Sequence, residues 1–308
     1  MKTSTSKRLR WNVAIWLAAG LFMTSTAGMA SGPILPDPKA EARHHPQIEE
    51  TANGIPLVNI TAPSSGGVSR NEYEMFNVPD KGAILNNSYT LSKTELAGYV
   101  PGNNNMAERP AKIIVNEVTG TGSTSMDGFL EVAGNRADVV IANPNGITVN
   151  GGGFINTGKA FLTTGKPVYD GEDHLQRFDI TGGDILIEGK GLNGKEAGSL
   201  AILSRAVKIN AGIWAKDLHI TTGANSIDAK TLEASAIEGK GGHPAFALDT
   251  AAIGGMYAGR ITLVGTEKGL GVNNSGTWSA EDNLILDWNG DLKNSGTIYS
   301  KGNTDLRA

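Results

Sequence analysis

Val272–Thr297 reads V-N-N-S-G-T-W-S-A-E-D-N-L-I-L-D-W-N-G-D-L-K-N-S-G-T. Inside it, Asn274-Ser275-Gly276-Thr277 returns as Asn294-Ser295-Gly296-Thr297 after 20 residues, each copy with an apolar residue two positions before its Asn, Val272 and Leu292. Asn156-Thr157-Gly158 behind Phe154 is a looser echo. A period of 20 suits one coil of a right-handed parallel β-helix, in which short strands and turns bring the chain back to the same face. Leucine-rich repeats have similar periods, but their leucine ladder is missing. Two copies of the tetrapeptide in an unrelated sheet are the alternative. Coils stack at the inter-strand spacing of about 4.8 Å, so roughly 13 coils predict a rod about 60 Å long.

Outward from this repeat, short strand candidates recur. They are Ile55–Ile60, Ala83–Leu85, Ala111–Val118, Ala137–Ala142, Phe154–Ile155, Asp184–Glu188, Ala201–Ile209, Asp217–Thr221, Arg260–Val264 and Asn283–Leu286. Gly, Asn or Asp separates nearly all of them, the pattern of an all-β array. The composition agrees: 41 glycines, 19% charged and 6% aromatic residues fit turn-punctuated short strands better than helical bundles. With 39% apolar residues, the chain is not a disordered one.

The first 30 residues read as a secretory signal. Lys2, Lys7, Arg8 and Arg10 form a basic start, Trp11–Met23 an apolar stretch, and Gly28-Met29-Ala30 a small-residue cleavage site. The apolar stretch falls short of the roughly 20 residues of a membrane span. Without residues 1–30, 23 basic residues face 31 acidic ones, a net charge of −8. Such a chain, lacking a basic cluster, is not expected to take nucleic acid or a polybasic-seeking membrane as its partner. It contains no cysteine, so an exported fold must hold without disulfide bridges, and nothing bridged hinders threading through a narrow pore. Ser31–Glu50, rich in Pro and charge, reads as a poorly ordered leader in which His44 and His45 are solvated.

Asn143-Pro144-Asn145-Gly146-Ile147 sits between Ala137–Ala142 and Ile147–Asn150. Pro144 fixes φ at the second turn position, Asn143 accepts backbone N–H groups of the turn, and Gly146 tolerates the exit conformation. These residues resemble a hallmark of the N-terminal secretion domain of two-partner secretion exoproteins: filamentous haemagglutinins, related haemolysins and contact-dependent growth inhibition proteins. Ala201–Ala215, Thr222–Asn225 and Ala251–Gly271 resemble segments of the growth-inhibition and haemagglutinin branch, so the likeness spans nearly all of residues 51–308. The family's other hallmark, Asn-Pro-Asn-Leu, falls on Asn103-Asn104-Asn105-Met106, with Asn104 in place of proline and Met106 in place of leucine. Met keeps the apolar contact. Losing proline loosens the unfolded chain, an effect of about 0.4–1 kcal/mol.

The resemblance implies a protein of a Gram-negative bacterium that crosses the inner membrane by the general secretory machinery and remains unfolded in the periplasm. The periplasmic domains of an outer-membrane β-barrel transporter then recognise it, and it folds outside as a right-handed parallel β-helix with short extra-helical β elements. The product is a secreted or cell-surface filament, with a host or neighbouring-cell surface receptor as a further partner. On this reading residues 51–270 are the secretion domain and residues 271–308 begin a repeat stalk that looks truncated, without an evident cap. Asn143, Pro144, Asn145, Gly146 and Ile147, with Asn103, Asn104, Asn105 and Met106, are secretion and folding residues, and turn geometry alone is the competing role. No catalytic residue, metal or cofactor is expected.

Enzymatic readings fare worse on the residues. Gly189-Lys190-Gly191-Leu192-Asn193-Gly194 has the form of a dinucleotide loop, but the β-branched run that follows argues against the helix such a loop must open. His174, His219 and His243 are isolated, and no serine sits in a G-x-S-x-G elbow. Asp173 and His174 read as a solvated loop pair. The serious rival is a secreted β-helix enzyme acting on polysaccharide, which needs carboxylates stacked on successive coils, and the repeats carry none.

Overall fold

The computed structural model describes residues 33–107 and 109–307. The signal sequence read at residues 1–30 lies outside them. Among the described residues no helix is long and apolar enough to cross a membrane.

The body is a parallel β-helix with three faces. Chain order within one coil is Ile147–Val149 on the first face, Gly152–Ile155 on the second and Thr157–Thr163 on the third. The first face stacks Thr124–Met126, Ile147–Val149, Asp184–Ile187, Ala206–Ile209, Leu248–Thr250, Val272–Asn274 and Leu292–Asn294, all parallel. The other two faces carry nine rungs each, from Pro56–Asn59 to Thr297–Ser300 and from Val68–Phe76 to Thr304–Arg307. Gly212–Thr222 and Gly255–Gly265 each run around a corner and serve both. Crossings between parallel strands of one sheet wind to the right.

The 20-residue repeat is one rung. Val272 pairs with Leu292, Thr277 with Thr297 and Leu284 with Thr304. The Asn274 amide donates to the Asn294 amide oxygen at 2.8 Å, so the repeated asparagines stack as a ladder. Interior positions are Val, Ile and Leu, as in Val139, Ile141, Leu162 and Ile202, and they form one continuous core. Nine rungs rather than 13 make the rod about 40 Å long. The difference lies in chain spent outside the helix.

Three excursions account for it. Residues 88–112 carry the hairpin Ser92–Thr94/Gly98–Val100. Lys166–Tyr169 and Leu175–Ile180 join Asn225–Asp228 and Ala234–Ala236 in a four-stranded antiparallel sheet. That sheet buries Phe178, Ile180 and Ile227 against Val140, Phe161 and Leu203 on the outside of the third face. Strands buried on both sides need apolar residues at consecutive positions, which explains unalternating runs such as Val139-Val140-Ile141.

Two readings are corrected. The described part of the leader is ordered: Ile34–Pro36 pairs antiparallel with Val68–Phe76, and Gln47–Glu50 with Pro56–Asn59. The first rung would otherwise leave bare strand edges, and the leader covers them. His44 is not solvated but 3% exposed, between Glu72 and Asp173 at 3.0 and 3.5 Å; His45 is exposed. Ala201–Ile209 is not one strand. It turns at Arg205, with Ser199–Ser204 on the third face and Ala206–Ile209 on the first.

Candidate functional site

Asn143 closes the corner between Ala137–Ala142 on the third face and Ile147–Val149 on the first. Its side chain is fully buried. The amide oxygen accepts from the Asn145 backbone N–H at 2.9 Å, and the amide nitrogen donates to the Gly122 carbonyl at 2.9 Å and to Thr124 Oγ1 at 3.0 Å. Gly122 belongs to the same corner one rung earlier. The Asn145 amide reaches that corner too, donating to the Gly120 carbonyl at 2.8 Å. The turn closes from Gly146 N–H to the Asn143 carbonyl at 3.1 Å. Gly146 has φ of 110°, where a side chain would strain the backbone. Ile147 then enters the core at 1% exposure. Pro144 is exposed.

Asn103-Asn104-Asn105-Met106 is built to the same plan. Asn103 is extended, at φ −92° and ψ 115°, and precedes a single 3-10 turn over Asn104–Met106. Its amide oxygen accepts from the Asn105 N–H at 3.0 Å, and its amide nitrogen donates to the carbonyls of Ile60 and Asn86, both at 2.9 Å. Asn105 adds a bond to the Ile60 carbonyl at 3.0 Å. The turn closes from Met106 N–H to the Asn103 carbonyl at 3.0 Å, and Met106 is 2% exposed in the core. Asn104 therefore occupies the place of Pro144 and, like it, faces solvent.

In both turns the first Asn caps its own loop while fastening it to the preceding rung, and the third residue repeats the fastening. The two turns are separate places in the fold. The first lies in the excursion after Ala83–Asn87, whose base Asn87 closes by bonding both the N–H and the carbonyl of Ala111, at 2.7 and 2.9 Å. Beside the second, a shallow cleft of about 440 Å³ runs past Asn145, Thr148, Asp184 and Lys208.

A family model described as "TPS secretion domain" matches residues 33–298. The chain belongs to the TPS secretion-domain family. The match begins before residue 51 and ends beyond residue 270, so it includes the strands that cover the first rung and the first 20-residue repeat. Among relatives, Toxin CdiA of Yersinia pestis is 42% identical over 89% of this chain and 9% of its own length. The 16S rRNA endonuclease CdiA of Enterobacter cloacae is 44% identical over 91% of this chain and 8% of its own. The chain thus spans about a tenth of the curated relatives it matches. The crystal structure of a filamentous hemagglutinin secretion domain superposes with a TM-score of 0.77 at 31% identity, covering 89% of this chain and 99% of that one. TPS exoproteins are secreted from Gram-negative bacteria, and two-partner secretion implies an outer-membrane transporter as the second partner.

The dinucleotide-loop pattern resolves into helix architecture. Gly189 and Gly191 are left-handed turn residues at φ 56° and 78°, and Leu192–Gly194 is a strand of the second face. The 171–174 loop holds a surprise: Asp173 turns away from His174 and meets Arg43 at 3.0 Å, while His174 pairs with Asp170 at 2.9 Å. Arg70 spans this cluster, 2.8 Å from Glu72 and 3.3 Å from Glu117, with its guanidinium 4.3 Å from the Tyr169 ring centroid. Burial pushes the Glu117 carboxyl up and Arg70 opposes the shift. The cluster fastens the leader and the four-stranded sheet to the first rungs. Sequence reasoning missed it because its members are scattered from Arg43 to Asp173 and meet only when the rungs stack.

Proposed function

We propose that this segment directs a long exoprotein to its outer-membrane transporter and nucleates the β-helix as the chain emerges. The observation that carries the reading is the family match across residues 33–298. Asn143, Pro144, Asn145, Gly146 and Ile147 act as the secretion determinant, with Asn103, Asn104, Asn105 and Met106 as its degenerate counterpart. The bonding plan of both turns supports a role through folding: a buried asparagine that ties each new corner to the rung before it makes each coil a template for the next. Export would then be driven by rungs that, once formed outside, do not slip back.

The chain enters the periplasm through the general secretory machinery. While still extended it presents unpaired N–H and C=O groups that the transporter's periplasmic domains capture by strand addition. The completed exoprotein stands at the cell surface or is released, and serves adhesion or contact-dependent competition at a receptor on a host or neighbouring cell. We assign no catalysis to this segment; relatives are named tRNA nuclease and 16S rRNA endonuclease, but the chain spans 8% of those proteins.

The test is secretion. The chain is expressed with and without a two-partner transporter, alongside an Asn143→Ala/Asn145→Ala variant. Transporter-dependent release that the variant loses is the expected result. Release without a transporter overturns the proposal.

A further inference from the structure

The second face carries an outward column of residues in register on successive rungs: Phe129, Gly153, Asn193, Trp214, Tyr257, Ser279 and, last, Tyr299. Beside it runs a column of glycines. Gly212 pairs with Gly255, and Gly151 donates to the Gly191 carbonyl. The aromatic rings lean over this bare backbone. A Cβ on Gly212 would lie 2.5 Å from the Trp214 ring and one on Gly191 3.1 Å from it, while one on Gly255 would lie 2.8 Å from the Tyr257 hydroxyl. The Phe129 ring covers Gly153 in the same way. Trp214 and Tyr257 stand nearly parallel, 16° apart with centroids at 6.2 Å. Tyr257 remains 39% exposed and Tyr299 50%.

An open cleft of about 420 Å³ lies along this column, between Phe129 and Trp214, with Asn193 in its floor and Lys190 and Lys195 at its rim. No carboxylate lines it. In a chain with more acidic than basic residues, that absence sets the cleft apart. Both lysines are exposed, and Lys195 Nζ stands 6.0 Å from the Trp214 ring centroid. Among the described residues the ion-paired lysines, Lys208 and Lys301, lie elsewhere.

We infer that this column is a binding platform for a carboxylated polysaccharide. Aromatic faces repeating along a straight sheet offer successive stacking surfaces to the C–H faces of pyranose rings. Lys190 and Lys195 match uronate carboxylates, and the Asn193 amide bonds ring hydroxyls. An extended polymer suits an open cleft that continues rung after rung, whereas a compact ligand needs enclosure. No pair of carboxyl groups lines the cleft, so it is not built for glycoside hydrolysis, and the inference is one of binding. Single-stranded nucleic acid also stacks on aromatic platforms, but it demands a groove of many cations, and two lysines do not make one.

The test uses the full secreted chain with polygalacturonate as probe, in affinity electrophoresis and by tryptophan fluorescence. Trp278 and Trp288 are buried, so among the described tryptophans Trp214 is the one a surface ligand can perturb. Retardation with a fluorescence change is expected, at least tenfold weaker for Trp214→Ala. Lys190→Gln/Lys195→Gln, an exposed pair whose loss leaves the fold intact, should weaken polygalacturonate binding and leave any binding of neutral dextran unchanged. Tyr89→Ala/Tyr99→Ala, both exposed in the excursion of residues 88–112, should bind like the parent. No retardation of the parent overturns the inference, as does retardation indifferent to both cleft variants or a preference for poly(dT).

Discussion

At the residue scale, the two asparagine turns differ in one informative position. Asn104 stands where the second turn has Pro144, in a 3-10 turn whose φ suits proline, after an extended Asn103 of the kind proline requires. Among the described residues no hydrogen bond uses its N–H. Asn104→Pro should therefore stabilise the domain by about 0.4–1 kcal/mol through the unfolded chain, seen as a raised urea midpoint at unchanged slope; a lowered midpoint would show that the turn needs asparagine. Asn143→Ala should do the opposite. It removes a fully buried side chain that bonds the Gly122 carbonyl, the buried Thr124 hydroxyl and the Asn145 N–H, at about 1–3 kcal/mol. The sequence made these turns legible because Asn, Pro and Gly carry their geometry locally. It could not show that the Asn143 amide reaches back to Gly122, since only the stacking of rungs brings residues 21 apart together. His219 was legible only as an isolated histidine. It bonds Thr221 Oγ1 at 2.9 Å, and burial lowers its pKa to about 4. Above pH 6.5 both folded and unfolded chains leave it neutral. As pH falls toward 4 the unfolded chain takes up the proton first, so stability is lost across that window, by about 1–3 kcal/mol. His219→Gln should flatten the loss between pH 6.5 and 4.5, and an equal loss in parent and variant would clear His219 of the effect.

At the scale of elements, the strands of the helix were readable, while its extra-helical strands were expected without a place in the chain. Ala137–Ala142 appears with the bounds its composition suggests, because β-branched runs bounded by polar turns specify a buried strand whatever lies around it. The leader was misread because Pro and charge dominate its composition, while its strands exist only by pairing with distant edges. Ala201–Ile209 was misread as continuous because a corner in a β-helix needs no glycine or proline. Arg205 makes that corner by pointing outward. Its guanidinium meets Glu267 at 2.8 Å and donates to the carbonyls of Lys240 at 2.7 Å and Gly242 at 3.2 Å, and Glu267 also accepts from His243. The Arg205 guanidinium in turn holds the Glu267 carboxyl below its usual range. One side chain thus anchors the loop that returns from the four-stranded sheet to the helix. Arg205→Ala should cost on the order of 3 kcal/mol, because Glu267 is left half-buried without its partner. Hydrogen exchange should rise first in residues 237–246; protection unchanged there would mean the loop holds by other contacts.

At the scale of the whole molecule, a 20-residue period was enough to infer stacking but not length, because insertions between rungs leave no trace in the period. Leu218 and Ile261 are neighbours in space though the four-stranded sheet's last strands lie between them in sequence. Each rung touches only those above and below, so stability should be distributed along the axis rather than shared by the whole body. Leu130 and Leu286 test this. Both are buried in the same continuous core, at 0% and 1% exposure, and truncation of either to alanine removes a comparable contact, about 2–5 kcal/mol. They differ in position. Leu130 lies on the third rung of the second face, flanked by Ala83–Asn87 and Gly152–Ile155, and its loss must be absorbed by rungs on both sides. Leu286 lies one rung from Thr304–Arg307, so opening there frees only the last coils. Leu130→Ala should lower the main thermal transition by several degrees. Leu286→Ala should leave that transition nearly in place while amides of residues 272–307 exchange faster. Equal shifts of the main transition would show one cooperative block instead. In that case no early coil could be stable before the later ones had formed, and folding rung by rung could not drive export.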